Sequence, residues 1–312
     1  MTRLVIGSYT SDMGGQGAGL TALPGGPSVA TASPSFVITD GSVLYAVNEG
    51  DGTVSSYAAD TLALLSTQST GGQWPCHLTL TDGHLLAANY GSGSVSVHPV
   101  DGGVIGARTD LVQHSGSGPR TDRQEGPHAH QVVVSDDGTV TVVDLGIDRL
   151  VHYWLTDGTL DQTGETVLPA GTGPRHVAIH PSGDWYLAGE LSSTVLTLVD
   201  GVVIAETPAT AVEGANQPSA IALSPDGQYL YLANRGPDTI TTFRLDAVGV
   251  PEPIAEVPTG GHWPRDFALV DGGLVVTNER SHTLVRFRLE DGIPVPTGEV
   301  IEIGSPTCVL PG

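Results

Sequence analysis

Four histidines stand within three residues after a proline: His77 in WPCH, His128 and His130 in GPHAH, and His176 in GPRH. Arg175 and Arg265 directly follow Pro174 and Pro264. An imidazole titrates near neutrality and can take a proton from water, and a guanidinium grips a carboxylate or phosphate through parallel N–H donors. Carboxylates recur at a second kind of place, the polar turn after a short apolar run: Glu49, Asp144, Asp148, Glu190 and Glu279. Arg149, Arg235 and Arg280 lie in or near such turns, and Arg120 and Arg123 lie in HSGSGPRTDRQEGPHAH. Together these residue types suit general-base work on water and the grip of an anionic ligand. Each has a plainer reading as well, the histidines as satisfied hydrogen-bonding groups and the arginines as partners of nearby carboxylates.

Charge gives the arginines their weight. All twelve cationic side chains are arginine, against 34 Asp and Glu, for a net charge of −22. Such a field repels nucleic acid and anionic membranes, so neither is expected as a partner. Seven of the twelve arginines fall at the places just described. That clustering of scarce positive charge suggests a small anionic ligand.

These residues need elements to hold them, and a repeat supplies those elements. Proline, a short alternating strand, a turn, a buried apolar strand, a polar turn and a third strand recur along the chain. PCHLTLTDGHLLAANYGSGSVSV, PSAIALSPDGQYLYLANRGPDTITTF and PRDFALVDGGLVVTNERSHTLVRF show the pattern. The unit starts at Pro34, Pro75, Pro127, Pro174, Pro218, Pro264 and Pro306, with spacings of 41, 52, 47, 44, 46 and 42 residues. Propeller blades have periods of about 40–50 residues. The last start leaves room for one strand, while Leu4–Tyr9 and Gly19–Leu23 resemble the second and third strands of the unit. An all-β, seven-bladed propeller follows, one domain over residues 1–312, its final blade closed by both chain ends. The 42 glycines and 22 prolines, about a fifth of the chain, fit many short strands and tight turns. In that fold the innermost strands and the turns after second strands open on one face, where a ligand is expected.

Other signals point elsewhere only weakly. His128-x-His130 could hold a metal with Asp144 or Glu190 completing the shell, but no spacing fixes a third ligand; no cofactor is expected. Gly14–Gly19 leads into a strand rather than a helix, which argues against a dinucleotide fingerprint. Trp74 and Trp263 read as packing residues, and Cys76 and Cys308 as small buried hydrophobes. With no long apolar run and no basic-then-apolar start, a cytoplasmic location is the expectation, and because propellers of this kind are often monomeric, so is a monomer.

The ordered set GPHAHQ (126–131), VVDLGIDRL (142–150), GTGPRHVAIHP (171–181), GELSSTV (189–195), QPSAIALSPDG (217–227), PRDF (264–267) and NERSHTLV (278–285) resembles the lactonase family of seven-bladed propellers. That family includes bacterial 6-phosphogluconolactonases of the propeller type and fungal carboxymuconate cyclases. The resemblance spans about residues 3–310 and implies a lactone hydrolase, with hydrolysis of 6-phospho-glucono-1,5-lactone to 6-phosphogluconate in the pentose phosphate pathway as its first expectation. A muconate-type or unphosphorylated lactone, a metal-dependent lactonase and a non-catalytic scaffold propeller are the competing readings. By position the resemblance points to His128, His130, Arg175, His176, Glu190 and Arg265, and adds Asp148, Arg149 and Arg235. Arg175 and Arg265 are expected to clamp the anion and stabilise the oxyanion. His176 or Glu190 would act as base with His130 orienting, and His128, Asp148, Arg149 and Arg235 would help bind substrate. Two departures stand out: Gly189 where relatives often carry Asn before the Glu-Leu-x-Ser turn, and no lysine at all.

Overall fold

The computed structural model describes residues 2–245 and 249–312. Strands dominate, and the only helical element among the described residues is a single 3-10 turn at Ser11–Met13. Seven antiparallel sheets form. The chain groups into two compact units, Arg3–Gly171 and Thr172–Pro311.

In the first unit one sheet runs Val37–Thr39, Val43–Asn48, Thr53–Ala58 and Leu64–Ser69 in sequence order. The next runs Pro75–Thr81, His84–Asn89 and Ser94–Asp101, whose far edge is paired by two short strands, Val104–Ile105 and Asp110–Gln113. The third runs Ala129–Val134, Val140–Asp144, Arg149–Thr156 and Thr159–Val167. In the second unit the sheets run Pro174–Ile179, Trp185–Gly189, Thr194–Val199 and Val202–Pro208; Gln217–Leu223, Tyr229–Arg235, Thr239–Leu245 and Pro251–Pro258; and Pro264–Val270, Gly273–Asn278, Thr283–Glu290 and Ile293–Glu302. The remaining sheet is ordered Pro306–Pro311, Leu4–Ser8, Leu20–Leu23, Ser28–Val29. The protein is thus a seven-bladed β-propeller whose closing blade takes strands from both ends of the chain.

The second strand of each blade is the most deeply buried, as in Val43–Asn48 and Gly273–Asn278, where every residue is buried. Apolar side chains from neighbouring blades meet in clusters: Tyr45, Val47, Leu78 and Leu85 belong to one, and Tyr231, Phe267, Leu274 and Phe287 to another. Most blades also carry a fourth strand, which the sequence repeat does not show. Leu64–Ser69 and Val202–Pro208 are largely exposed or half-exposed, so burial imposes little apolar pattern on them.

The blade prolines mark where pairing is interrupted. A bulge lies between Pro75 and His77, Ala129 and Gln131, Pro174 and Val177, Pro218 and Ile221, and Pro264 and Asp266. The residues it displaces are Cys76, His130, Arg175 with His176, Ser219 with Ala220, and Arg265. A bulge re-aims a side chain that regular pleating would direct elsewhere.

Candidate active site

One backbone device recurs beside these bulges. The residue before the proline adopts positive φ at Ser33 (50°), Trp74 (52°), Gly173 (56°) and Trp263 (66°). Its carbonyl then accepts the N–H of the first turn residue after the second strand: Glu49 to Ser33, Tyr90 to Trp74, Glu190 to Gly173 and Glu279 to Trp263. Positive φ is uncommon for a residue as bulky as tryptophan, so this lock is strongly determined by its surroundings. It ties the displaced residue of the innermost strand to the turn residue of the same blade.

In the second unit the lock brings charge together. Glu190 Oε2 accepts from Arg235 Nη2 at 2.7 Å and lies 3.3 Å from Arg175 Nε. All three side chains are at most 6% exposed. Arg235 is further fixed by donating to the carbonyls of Gln217 and Pro218, at 3.0 and 3.2 Å. The Arg175 Nη1 to His176 Nδ1 distance is 3.3 Å. Because arginine only donates, Nδ1 is the acceptor there and a neutral His176 carries its proton on Nε2. Glu190 therefore accepts a hydrogen bond from Arg235 and forms an ion pair with both guanidiniums.

Asp266, next to Arg265, joins this charged set. Burial pushes its carboxyl up to about 6, against the opposing pull of the Val309 and Phe267 N–H groups and of the Arg175 and Arg265 charges. Its Oδ2 accepts from Val309 N at 3.0 Å. Sequence reasoning overlooked Asp266; the available signal was its place in PRDF, two residues past a blade proline. Trp263 adds an aromatic surface, with the Arg280 guanidinium carbon 3.5 Å and that of Arg235 5.6 Å from its ring centroid.

The Gly189 departure has a local explanation. Equivalent asparagines hold their turns by donating to Ser and Thr hydroxyls, as Asn48 does to Thr53 and Ser55, and Asn234 to Thr241. A Cβ on Gly189 would lie 2.3 Å from Ser192 Oγ. Ser192 and Thr194 fill that space with a 2.7 Å hydroxyl pair.

In the first unit a different group assembles. His128 stacks on Tyr90 with centroids 4.5 Å apart, and His130 meets the same ring edge-on at 5.6 Å. His128 Nδ1 donates to the Tyr90 carbonyl at 2.9 Å, and its Nε2 is 3.3 Å from Glu125. Arg123 donates to the Tyr90 hydroxyl at 3.3 Å. Tyr90 was missed from sequence, although in AANY it holds the turn place that Glu190 holds in LAGE.

The remaining candidates are engaged in the framework of the first unit. Asp144 receives His114 Nδ1 at 2.6 Å and the N–H groups of His128 and Gly146, and His114 Nε2 meets the Tyr153 hydroxyl at 2.9 Å. Burial first, then the nearby Asp144 charge, raise the Tyr153 hydroxyl's pKa. Asp148 is buried and receives Gln124 Nε2 and Gly171 N, and Arg149 turns to Glu165 on the adjacent strand at 3.4 Å. Hence Arg175, His176, Glu190 and Arg235 gather in one unit, with Arg265 on the bulge beside Asp266. His128 and His130 gather in the other, and neither Asp148 nor Arg149 joins them on Tyr90. Among the described residues no three His, Cys, Asp or Glu side chains are grouped so as to hold a metal ion. An apolar cavity of about 510 Å³ in the second unit, lined by residues including Pro208, Thr241 and Glu256, contains none of the charged cluster.

Comparison with known proteins bears on this arrangement. The family model described as "Lactonase, 7-bladed beta-propeller" matches residues 3–311. The 6-phosphogluconolactonase of Bacillus subtilis is 35% identical over 303 residues, covering 89% of this chain and 86% of that protein. A solved protein from Lactobacillus plantarum is 28% identical with a TM-score of 0.91, over 99% of this chain and 98% of the other. The periplasmic gluconolactonase of Pseudomonas aeruginosa is 26% identical with a TM-score of 0.86, over 99% and 98%. With almost its whole length matched, this chain belongs to the lactonase family of seven-bladed β-propellers.

Proposed function

We propose that the protein hydrolyses a sugar δ-lactone carrying an anionic group, with 6-phospho-glucono-1,5-lactone as the preferred substrate. The observation that carries this reading is the pair of buried guanidiniums facing one carboxylate oxygen, Arg175 set by a bulge of the innermost strand and Arg235 at the end of a second strand. Likeness to a 6-phosphogluconolactonase supports the same substrate class. Attack of water on the lactone carbonyl, with one proton passing to a base, turns the carbonyl oxygen into an oxyanion; its collapse breaks the ring C–O bond, the ring oxygen takes up the proton the base received, and a carboxylate is left. Donors fixed before reaction stabilise that developing charge without reorganising. Arg175 and Arg265 fill this role, with Glu190 as the positioning residue of Arg175.

The attacking water must lose a proton. His176 offers Arg175 its acceptor nitrogen, and Glu190 Oε2 is committed to two arginines. The assignment therefore passes to Asp266, whose raised pKa suits a base working near neutrality. The test is base consumption above the spontaneous rate when purified protein meets 6-phosphogluconolactone. Turnover that falls at least tenfold in Arg175→Ala supports the reading, and full rate in that variant removes Arg175 from it. An unphosphorylated lactone is the second reading, favoured by likeness to a gluconolactonase. Glucono-1,5-lactone in the same assay separates the two.

A further inference from the structure

We propose that Arg280, stacked on Trp263, recognises the phosphate of a phosphorylated substrate and so sets the preference between phosphorylated and plain sugar lactones. This rests on the lactonase reading and adds a residue that reading does not use.

The argument begins with how the other cations are engaged. Nine of the twelve arginines have a carboxylate, carbonyl or hydroxyl partner: Arg3, Arg108, Arg120, Arg123, Arg149, Arg175, Arg235, Arg286 and Arg288. Arg265 is also engaged. Among the described residues only Arg244 and Arg280 make no such contact through their guanidiniums. Arg244 projects from an exposed strand position, whereas Arg280 lies 3.5 Å over an indole. Stacking fixes a guanidinium plane by its face and uses none of its N–H donors. Arg280 is therefore oriented while its donor edge stays available, a geometry suited to bidentate capture of a phosphate.

The platform under it is built. Trp263 holds φ of +66°, donates its N–H to Asp238 at 2.8 Å, and accepts from Glu279 N at 3.1 Å. Arg280 N donates to the His262 carbonyl at 3.1 Å, and His262 N to Ser281 Oγ at 2.9 Å. The same indole meets the buried Arg235 of the Glu190 cluster. One rigid ring thus links an exposed guanidinium to the buried pair, and the two guanidinium carbons lie no farther apart than the sum of their distances to its centroid. In a chain of net charge −22, an oriented arginine not neutralised by a carboxylate is a local attractor for an anion.

The experiment compares wild type, Arg280→Gln and Arg244→Gln, the last matching the charge change at an unrelated exposed site. Arg280→Gln is expected to lose roughly 10- to 100-fold in kcat/KM for 6-phosphogluconolactone, mainly through KM, and far less for glucono-1,5-lactone. Arg244→Gln should keep both values within about twofold of wild type, the spread expected of a surface change. Equal losses on both lactones, or none on the phosphorylated one, overturn the proposal. Inorganic phosphate binding followed by calorimetry separates this proposal from the lactonase reading. Binding by wild type that Arg280→Gln abolishes upholds the subsite even if neither lactone is turned over. Phosphate binding that survives the substitution, or is absent in wild type, refutes the subsite whatever the lactonase result.

Discussion

Replacing Glu190 with glutamine removes one negative charge and almost no volume. In wild type its Oε2 faces guanidinium nitrogens at 2.7 and 3.3 Å, and all three side chains are nearly inaccessible. At an effective dielectric of about 20, each attraction is gross about 4 kcal/mol at a charge separation near 4 Å. Most of that is offset by desolvation, so removal of one partner is the better guide, at about 3–5 kcal/mol for a buried pair. Glutamine retains an acceptor oxygen, which places Glu190→Gln near the lower end, about 3 kcal/mol. For a domain of this size that is a fall in melting temperature of roughly 6 °C. The sharper test is a double-mutant cycle with Arg235→Met, read by thermal or urea unfolding. With Glu190 already neutral, losing Arg235 relieves one of two uncompensated buried cations. The two changes should therefore be less than additive, by about 1.5–3 kcal/mol. Additivity within about 0.5 kcal/mol would refute the claim that these groups form one electrostatic unit.

Asp266→Asn should separate stability from activity. The folded-state pKa of about 6 lies above the ordinary 3.8, so this group's contribution is fully present below pH 3.8 and lost as pH rises through 6. The variant should gain up to about 3 kcal/mol over wild type at pH 7.5, an advantage that fades toward pH 4, while lactone turnover collapses. Unchanged turnover would remove Asp266 as the base; the kcat/KM profile of wild type should show an acid limb near pH 6. Tyr153→Phe strips a partner from buried His114 and should cost about 1–3 kcal/mol in urea unfolding, as expected for an orphaned buried polar atom. Gln124→Ala removes donors to Leu145 and Asp148 and should speed proteolysis within residues 115–126 without a matching drop in the global unfolding midpoint.

The proline period and the alternating strands disclosed the blades because each blade buries its middle strands against neighbours, and burial writes a pattern into sequence. The outer strands carry little such pattern, since Leu64, Leu65, Val202 and Ile204 sit exposed. Residue types and turn positions were enough to single out Arg175, Glu190 and Arg235. Their pairing was not legible, because Glu190 and Arg235 are 45 residues apart and meet through blade geometry rather than local spacing. Asp144 shows the same limit: its partner His114 lies 30 residues earlier, at the end of a strand that the period does not mark. Asp266 escaped notice because nothing in its immediate neighbours reveals how far its carboxyl is withdrawn from water.

The interrupted pairing after the blade prolines has an evolutionary consequence. At Cys76 and Ser219 the displaced residue is small and bonds to backbone carbonyls of the following innermost strand, at His130 and Pro264. At Arg175 and Arg265 the same socket carries a long cation. Since these residues stand outside the strand ladder, exchanging one alters what the protein can bind while the ladder hydrogen bonds on either side of the bulge stay in place. A scaffold made this way can vary its ligand-facing side chains at a handful of positions while the strand ladder that builds each blade stays the same.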